Sequence, residues 1–286
     1  MIDSSGTSPA RPAPAGPAPA TPARPAFPFE AHLAAVRTAA DALLADATAA
    51  GLDTAVPTCP GWRVANVVAH QGMVHRWTAA NLRLDPTPVP TEDAVLAAIP
   101  HADLLAWFAA GVAELEAAFA AADPEVPALV FLADAPRPRE FWARRQAHET
   151  RMHAVDVLAA RLGRRPRAAE AAVPRDLALD GLDELLTGFV TRGRSGLCDA
   201  EATSIAVVPD DAVASDTGLA WFLEVLPGGI RTIRTTPEPA PAADAVLRGT
   251  AAQLYLGLWN RGDEVRVDGR ADLLARWAER VQITWG

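Results

Sequence analysis

The sequence predicts a four-helix bundle followed by a smaller α/β domain. In the first half of the chain, four long segments carry apolar residues at helical spacing. Beyond Gly163 the pattern changes to short strand-like runs separated by turn residues. Four helices of similar length indicate a bundle, and alternating strands and helices indicate α/β. We therefore expect a helical domain over residues 29–165 and an α/β domain over residues 170–286.

The chain begins with a segment that we expect to be disordered. Residues 1–28 alternate Pro, Ala and small polar residues. Such a composition buries too little apolar area to offset the entropy lost on ordering. The first predicted helix follows from Phe29 to Ala50 and ends at Gly51, which is a stop signal.

Three further helices complete the predicted bundle. The second begins near Val64, after a proline-bounded loop, and carries His70 on the same face as its apolar residues. The third covers about 102–122 and the fourth about 139–162.

The second half is predicted to contain both helices and strands. In order, these are a helix at about 174–190, strands at 204–208, 219–225, 230–235 and 245–248, a helix at 251–259, a strand at 264–267 and a helix at 271–281. The second and third strands form a predicted hairpin, because Pro227, Gly228 and Gly229 lie between them.

Composition excludes several classes of function. The 286 residues carry a net charge of −9 and the pI is about 5.2, so nucleic acid and anionic membranes are not expected partners. Lysine is absent, which excludes Schiff-base chemistry and lysine-dependent phosphate loops. No stretch approaches the roughly 18 uncharged apolar residues of a membrane span. We expect a soluble monomer or small homo-oligomer. Two cysteines without a CxxC pair or a secretory signal favour the cytoplasm.

A glutamate and a histidine one helical turn apart predict part of a metal site. Glu149 and His153 lie four residues apart on the fourth helix, so both side chains can reach one ion. His70 offers a third ligand from the second helix. Two histidines and one carboxylate leave a coordination position open, which is the pattern of catalytic zinc. Asp156, three residues beyond His153, is placed to accept the proton of the other imidazole nitrogen.

The residues alone leave a simpler interpretation open. His70 is then a buried core histidine, and Glu149 and His153 form a pair on the helix surface. His148 points about 100° away from Glu149, so we do not expect it to bind the same ion. We expect packing or surface roles for the remaining three histidines, His32, His75 and His101.

Two other residue types need an interpretation. Cys59 lies in the loop before the second predicted helix, where a nucleophile or an additional metal ligand is conceivable, but we favour a small buried side chain. The eight tryptophans fall mainly on apolar stripes and are expected in the core.

Three separated motifs occur in the order of a known enzyme family. They are the segment 56–64 with its Pro-Gly-Trp, the Ala-His pair that ends at His70, and the segment 149–156 with its Glu-x-x-x-His. A fourth segment, 247–262, ends with Asn260, Arg261 and Gly262. These motifs resemble the mycothiol-dependent maleylpyruvate isomerase family of actinobacteria over roughly residues 29–286. Gly269-Arg270 departs from the Gly-Asp that is more frequent in the family, and the tail is outside the pattern.

The resemblance implies a fold, a site and a reaction. The helical half resembles a DinB-like four-helix bundle, and the family's metal ligands, usually holding Zn²⁺, match His70, Glu149 and His153. The arginine that family members use at the active site matches Arg261. Mycothiol is the implied thiol cosubstrate. Its thiolate adds to an activated double bond, the resulting single bond rotates, and elimination gives the trans isomer, as in the conversion of maleylpyruvate to fumarylpyruvate.

Two other functions stay open. A mycothiol S-transferase for detoxification or biosynthesis needs the same residues as the isomerase. A non-catalytic metal-binding module instead predicts a site closed by a fourth protein ligand, with Cys59 and His148 as the candidates.

Overall fold

The computed structural model describes residues 22–25, 27–132, 135–193, 196–199, 202–211, 218–237 and 242–283. The first half is helical, as predicted. Its helices are α1 (Phe29–Ala50), α2 (Val64–Leu82), α3 (Glu92–Ala98), α4 (His101–Ala121) and α5 (Pro138–Leu162). The four long helices were predicted to within a few residues, whereas the short helix α3 was not predicted.

The second half combines helices with a sheet, which confirms the predicted class. Its helices are α6 (Ala168–Ala171), α7 (Arg175–Asp183), α8 (Ala251–Leu258) and α9 (Leu273–Arg280). Its strands are β1 (Thr203–Pro209), β2 (Ala220–Leu226), β3 (Gly229–Thr235), β4 (Ala245–Gly249) and β5 (Arg266–Gly269). The helix predicted over 174–190 ends earlier, because the chain continues from α7 as a π-helical turn, Glu184–Phe189, and a short 3₁₀ turn, Val190–Arg192.

The strands form one sheet in the order β3-β2-β1-β4-β5, in which β1 and β4 are parallel and the other neighbours are antiparallel. The predicted hairpin is present, since Leu226 at the end of β2 pairs with Gly229 at the start of β3. Gly228 adopts a φ of 100°, which is why glycine suits this turn.

Helix α5 lies in the centre of the molecule. It begins with Pro138 and ends at Gly163, whose φ is 68°, and these are a typical start and stop. All its residues from Phe141 to Ala160 are buried, although the helix is polar on average. It packs against α1 and α2, and its Arg144 reaches α7. Its polar side chains are therefore placed where they need partners.

The apolar core is continuous between the two halves. One cluster of buried side chains contains Trp142 of α5, Leu177 of α7, Leu247 of β4 and Trp277 of α9. A second cluster fills the bundle between α1, α2 and α4. The division into units at 29–165 and 170–286 is therefore a proposal about folding, which we return to below.

The predicted disordered tail falls largely outside the described residues, which include only 22–25, 27 and 28 of that segment. Two of those residues contact the fold. The ring of Phe27 lies 4.8 Å from the ring of His32, and Arg24 Nε lies 3.7 Å from a carboxylate oxygen of Asp183.

Among the described residues, helix α4 has the length and composition of a membrane span, with a mean hydropathy of 1.5 over its most apolar window. The sequence predicted this segment as a helix of the bundle and not as a membrane span. It packs against α2, and its side chains Leu104, Phe108 and Leu115 are fully buried, whereas 33% of the apolar window as a whole is buried.

Candidate metal centre and active site

Three side chains converge where α2 crosses α5. His70 comes from α2, and Glu149 and His153 come from successive turns of α5. Glu149 Oε1 lies 3.8 Å from His70 Nε2 and 3.5 Å from His153 Nε2. One ligand atom from each residue lies within 4.8 Å of the other two. Two nitrogens and one carboxylate oxygen at this separation fit a divalent cation such as zinc.

Each histidine is oriented by its own carboxylate. His70 Nδ1 lies 3.4 Å from Glu92 Oε2, and His153 Nδ1 lies 3.0 Å from Asp156 Oδ2. We assign the proton of each neutral ring to Nδ1, because a carboxylate can only accept it. Both Nε2 lone pairs then face Glu149, which is the arrangement that a metal-binding histidine requires.

Glu92 is supplied by α3. The helix is capped at Thr91, whose hydroxyl accepts a hydrogen bond from Ala94 N at 3.3 Å. Asn66 Nδ2 donates to Glu92 Oε1 at 3.2 Å, so the carboxylate is fixed from α2 as well. This short helix therefore has a clear structural role beside His70.

The other oxygen of Glu149 is held from the opposite side. Arg145, one turn earlier on α5, donates to Glu149 Oε2 at 2.5 Å and also pairs with Glu184 of the π-helical turn. All three side chains are buried. The Arg145 guanidinium lies 5.5 Å from the Trp259 ring centroid. A chain of contacts thus runs from the ligand carboxylate into the second half of the molecule.

Arg261 reaches the site from beyond α8. Asn260 adopts a φ of 63° and turns the chain at the end of the helix, so that Arg261 N donates to Leu256 O at 2.7 Å. Arg261 Nε and Nη2 donate to the two oxygens of Asp156 at 3.0 and 3.1 Å. Thr58 also donates to Asp156, at 2.7 Å. Asp156 therefore connects His153 with the arginine.

The loop before α2 places an aromatic ring over the histidines. Gly61 has a φ of 88°, and Val56 N donates to Trp62 O at 2.9 Å, which closes the loop. The Trp62 ring lies 5.2 Å from the His70 ring and stacks at 6.2 Å on the His153 ring. Trp62 therefore covers both candidate ligands.

Burial and neighbouring charges shift several pKa values in the site. Burial lowers the pKa of His70, but Glu149 and Glu92 outweigh it and raise the pKa to about 9. For Glu149, burial raises the pKa, but Arg145 and the two histidines bring it well below its ordinary value. Without a metal ion, His70 is therefore protonated beside an ionised Glu149, and an arriving cation would replace that proton.

The same effects determine the state of Asp156 and Cys59. Burial raises the pKa of Asp156, but Arg261 and His153 hold it well below the ordinary range. Burial, and next the charge of Asp156, raise the pKa of Cys59 to about 12, although Arg261 Nη2 lies 3.6 Å from its sulfur. At neutral pH, Asp156 is a carboxylate and Cys59 is a neutral thiol.

A cavity of about 380 Å³ opens onto the three converging side chains. Arg261 and Cys59 are part of its wall. The remaining apolar wall is formed by Trp62, Met152, Trp259 and Ile283. Trp259 belongs to the apolar core, as expected of the tryptophans, and also borders this cavity. Trp62 is only partly buried, and the cavity that it borders is large enough for a small ligand.

A second polar cluster lies on a different face of α5, about 100° around the helix from the first. Asp180 Oδ2 lies 3.0 Å from His32 Nε2, 2.8 Å from His148 Nε2 and 3.0 Å from Arg144 Nε. Tyr255 bonds to the other nitrogen of His148 at 3.0 Å. Because Arg144 already supplies a positive charge to the same oxygen, we interpret this cluster as a satisfied hydrogen-bond network rather than a cation site.

The structure brings together His70, Glu149, His153, Asp156 and Arg261, the residues singled out in the sequence. It does not bring His148 to them. The expected minor roles hold for His101, which is exposed, and for His75, whose Nε2 lies 2.9 Å from the Thr150 hydroxyl. His32 is buried in the second cluster.

Three residues that hold the candidate ligands in place, directly or through a neighbour, were not predicted from the sequence; they are Arg145, Glu92 and Glu184. Arg145 could have been found, since it lies four residues before Glu149 on the same helix face. Glu92 was missed because α3 was not predicted. Glu184 lies within the helix predicted over 174–190, but its pairing with a residue 39 positions earlier leaves no local signal.

Comparisons with known proteins identify both halves of the chain. The sequence profile of the mycothiol maleylpyruvate isomerase N-terminal domain matches residues 33–158, and that of the corresponding C-terminal domain matches residues 176–276. Two crystal structures, of a mycothiol-dependent maleylpyruvate isomerase and of a histidine-to-alanine mutant of such an enzyme, are similar in fold. Each has a TM-score of 0.55 at 14% identity and covers 84% of this chain and 92% of its own. Among curated proteins, none matches the chain.

Proposed function

Because the chain belongs to the mycothiol maleylpyruvate isomerase family, we propose that it is a metal-dependent enzyme that uses mycothiol to isomerise an activated double bond. One observation carries the proposal. The ligand atoms of His70, Glu149 and His153 converge at a cavity whose wall also contains Arg261. A metal site with an open side and a nearby arginine supports chemistry rather than a purely structural ion.

His70, Glu149 and His153 would hold the ion, which we propose to be Zn²⁺. Bound there, a divalent cation lowers the pKa of a thiol and so supplies a thiolate at neutral pH. Glu92, Asp156 and Arg145 keep the three ligand side chains in place. Cys59 is not the nucleophile in this proposal, because its pKa of about 12 keeps it protonated.

Arg261 is the residue that meets the substrate. Asp156 fixes the guanidinium through two hydrogen bonds, so its remaining N–H can donate to a substrate oxygen. When the thiolate adds to the double bond, negative charge develops on the conjugated oxygen, and a fixed donor stabilises it. Rotation about the new single bond is followed by return of the electron pair, which expels the thiolate and re-forms the double bond.

Transfer of mycothiol to an electrophile is a second candidate. It uses the same residues and stops after the addition step, with a proton supplied to the product carbon. The observation that favours it is the apolar part of the wall, Trp62, Met152 and Trp259, which suits electrophiles of varied shape.

The non-catalytic metal-binding module has less support. It requires a fourth protein ligand, but His148 bonds to Asp180 and Tyr255, and Cys59 lies beside Arg261. Neither belongs to the converging group among the described residues.

We propose that the enzyme is cytoplasmic, because its two cysteines are free thiols, which suits a reducing compartment. We propose a monomer or small homo-oligomer as its oligomeric state.

The first experiment measures metal content by elemental analysis and thiol binding by calorimetry. We expect about one zinc per chain, mycothiol binding only to the loaded form, and zinc- and mycothiol-dependent turnover in a screen of conjugated alkenes that includes maleylpyruvate. His70→Ala should lose most of the metal and keep its helical content, because the bundle core does not depend on the ion. His101→Ala, at an exposed histidine, is the matched control. Metal-independent thiol binding, or a wild-type chain without metal, would refute the proposal.

A further inference from the structure

The cavity offers little positive charge to a substrate. Among the described residues that line it, Arg261 is the sole side chain with a permanent positive charge, and the sequence contains no lysine. Four of its five N–H groups already have partners. Nε and one Nη2 N–H bond to Asp156, Nη1 donates to Trp259 O at 2.9 Å, and Nη2 also contacts Cys59. Arg261 can therefore bind one further oxygen, which is less than two carboxylates require.

The charged groups around the site leave a net negative charge before a substrate arrives. Four acidic side chains surround two arginines, and they are Glu92, Glu149, Asp156 and Glu184 around Arg145 and Arg261. A divalent cation neutralises the excess, and the bound thiolate then leaves one negative charge. A substrate that brings two more negative charges meets a repulsive site, because these groups are poorly screened by water.

The rest of the wall favours an uncharged group. Trp62, Met152 and Trp259 surround the opening, and Ile283 lies at its rim, with 37% of its surface exposed. Indole and thioether side chains contact apolar and conjugated groups well and donate little to carboxylates.

We infer that the substrate of this enzyme is a conjugated alkene with at most one carboxylate and an apolar remainder, and not a dicarboxylate such as maleylpyruvate itself. The inference rests on the proposed thiol chemistry and gives it a substrate class. Arg261 takes the carboxylate or the conjugated carbonyl oxygen, and the indole rings take the apolar end.

The direct test compares maleylpyruvate with its monomethyl ester, using the same thiol. Each kcat/KM is divided by the rate of the uncatalysed thiol reaction at the same pH, which removes the difference in intrinsic reactivity. We expect the normalised value for the monoester to be higher by at least about tenfold, the effect of one unpaired charge at an intermediate dielectric. Equal values, or a preference for the diacid, would overturn the inference.

A designed charge change tests the same point. Ile283→Arg adds a cation at the rim without filling the core, and Ile283→Gln is the neutral control of similar length. The arginine variant should shift the preference toward the diacid by roughly tenfold, whereas the glutamine variant should keep the wild-type preference. If both variants shift it equally, charge is not the determinant.

Binding of unreactive analogues separates this inference from the proposed function. Succinate and monomethyl succinate are titrated into the zinc-free protein and into the zinc-loaded protein with mycothiol bound, with tryptophan fluorescence as the readout. We expect the monoester to bind more tightly in both forms. If this order holds but neither alkene reacts above the uncatalysed rate, the thiol chemistry is wrong and the charge preference stands. If both alkenes react and the order is reversed, the substrate class is wrong and the thiol chemistry stands.

Discussion

Asp156 is the residue with the most connections in the site. Its Oδ2 faces His153 Nδ1 and Arg261 Nη2, and its Oδ1 accepts bonds from Thr58 and from Arg261 Nε. One carboxylate thereby orients a candidate metal ligand and the arginine in the cavity wall. The sequence predicted the contact with His153, because three residues on a helix separate them. It gave no indication of the contact with Arg261, which is 105 residues away.

Glu92 should act on the metal through His70. Glu92→Gln removes the negative charge that polarises the His70 N–H, and we expect about a tenfold loss of zinc affinity, which a chelator competition assay measures. Asp93→Asn is the matched control, because Asp93 is exposed on the same helix turn and should leave the affinity unchanged. An unchanged affinity in Glu92→Gln would show that this contact does not support the ligand.

Cys59 should titrate far above an ordinary thiol. Its pKa is raised by burial to about 12, so the thiolate fraction keeps increasing by about tenfold per pH unit between pH 7 and 10. An ordinary cysteine would level off near pH 9. We expect the rate of iodoacetamide alkylation in a Cys198→Ser background to rise through this whole range without a plateau. A plateau near pH 9 or below would mean that Cys59 is an available nucleophile.

At the scale of elements, α5 shows how a polar helix becomes the centre of a fold. Arg144, His148 and Arg145 are buried because α7 and the π-helical turn supply their partners, which are Asp180 for Arg144 and His148 and Glu184 for Arg145. The apolar pattern predicted the helix itself. It could not predict burial on all sides, since that depends on a segment more than thirty residues later.

Breaking the Arg145 pair should destabilise the fold more than breaking a surface pair. Arg145→Met removes the buried partner of Glu184 and one of the partners of Glu149, so we expect a loss of about 3–5 kcal/mol of unfolding free energy in urea. Arg37→Met is the control, because the Arg37–Glu116 pair is on the surface and is worth about 1 kcal/mol or less.

The double change Arg145→Met with Glu184→Leu tests the cause. It should recover part of the stability, because the buried charge of Glu184 is removed together with its partner. No recovery would indicate that packing around Phe189 and Trp259, rather than charge, explains the loss.

Elements with strong local signals were predicted from the sequence, and short or irregular ones were not. Both ends of helix α1 were predicted correctly, because its apolar spacing and the stop at Gly51 are local signals. Helix α3 has seven residues, too few for periodicity to be informative, and Thr91 gave its start no distinctive signal. The predicted helix 174–190 does not break at a proline or glycine. It changes to a π-helical turn at Glu184, where that side chain pairs with Arg145.

For the whole molecule, the two halves are joined by both apolar and charged contacts. Asp183 of α7 accepts bonds from Arg144 of α5 at 3.2 Å, from Trp221 of β2 at 3.1 Å and from Arg234 of β3 at 2.9 Å. The larger core cluster crosses the same boundary. The local patterns that predicted two domains gave no information about this shared interior.

We therefore expect the chain to unfold in a single transition. Helical content by far-ultraviolet circular dichroism and tryptophan packing by fluorescence should give coincident urea curves, because neither half keeps its core without the other. Two separate transitions would instead support 29–165 and 170–286 as independent folding units.

The site is assembled from both halves as well, but unequally. The candidate ligands all belong to the bundle, whereas Arg261 comes from the second half and lies outside the ligand group. A chain in which a single codon change replaced this arginine would keep all three candidate ligands. Under the proposed function, such a chain would lose turnover and keep its affinity for the ion.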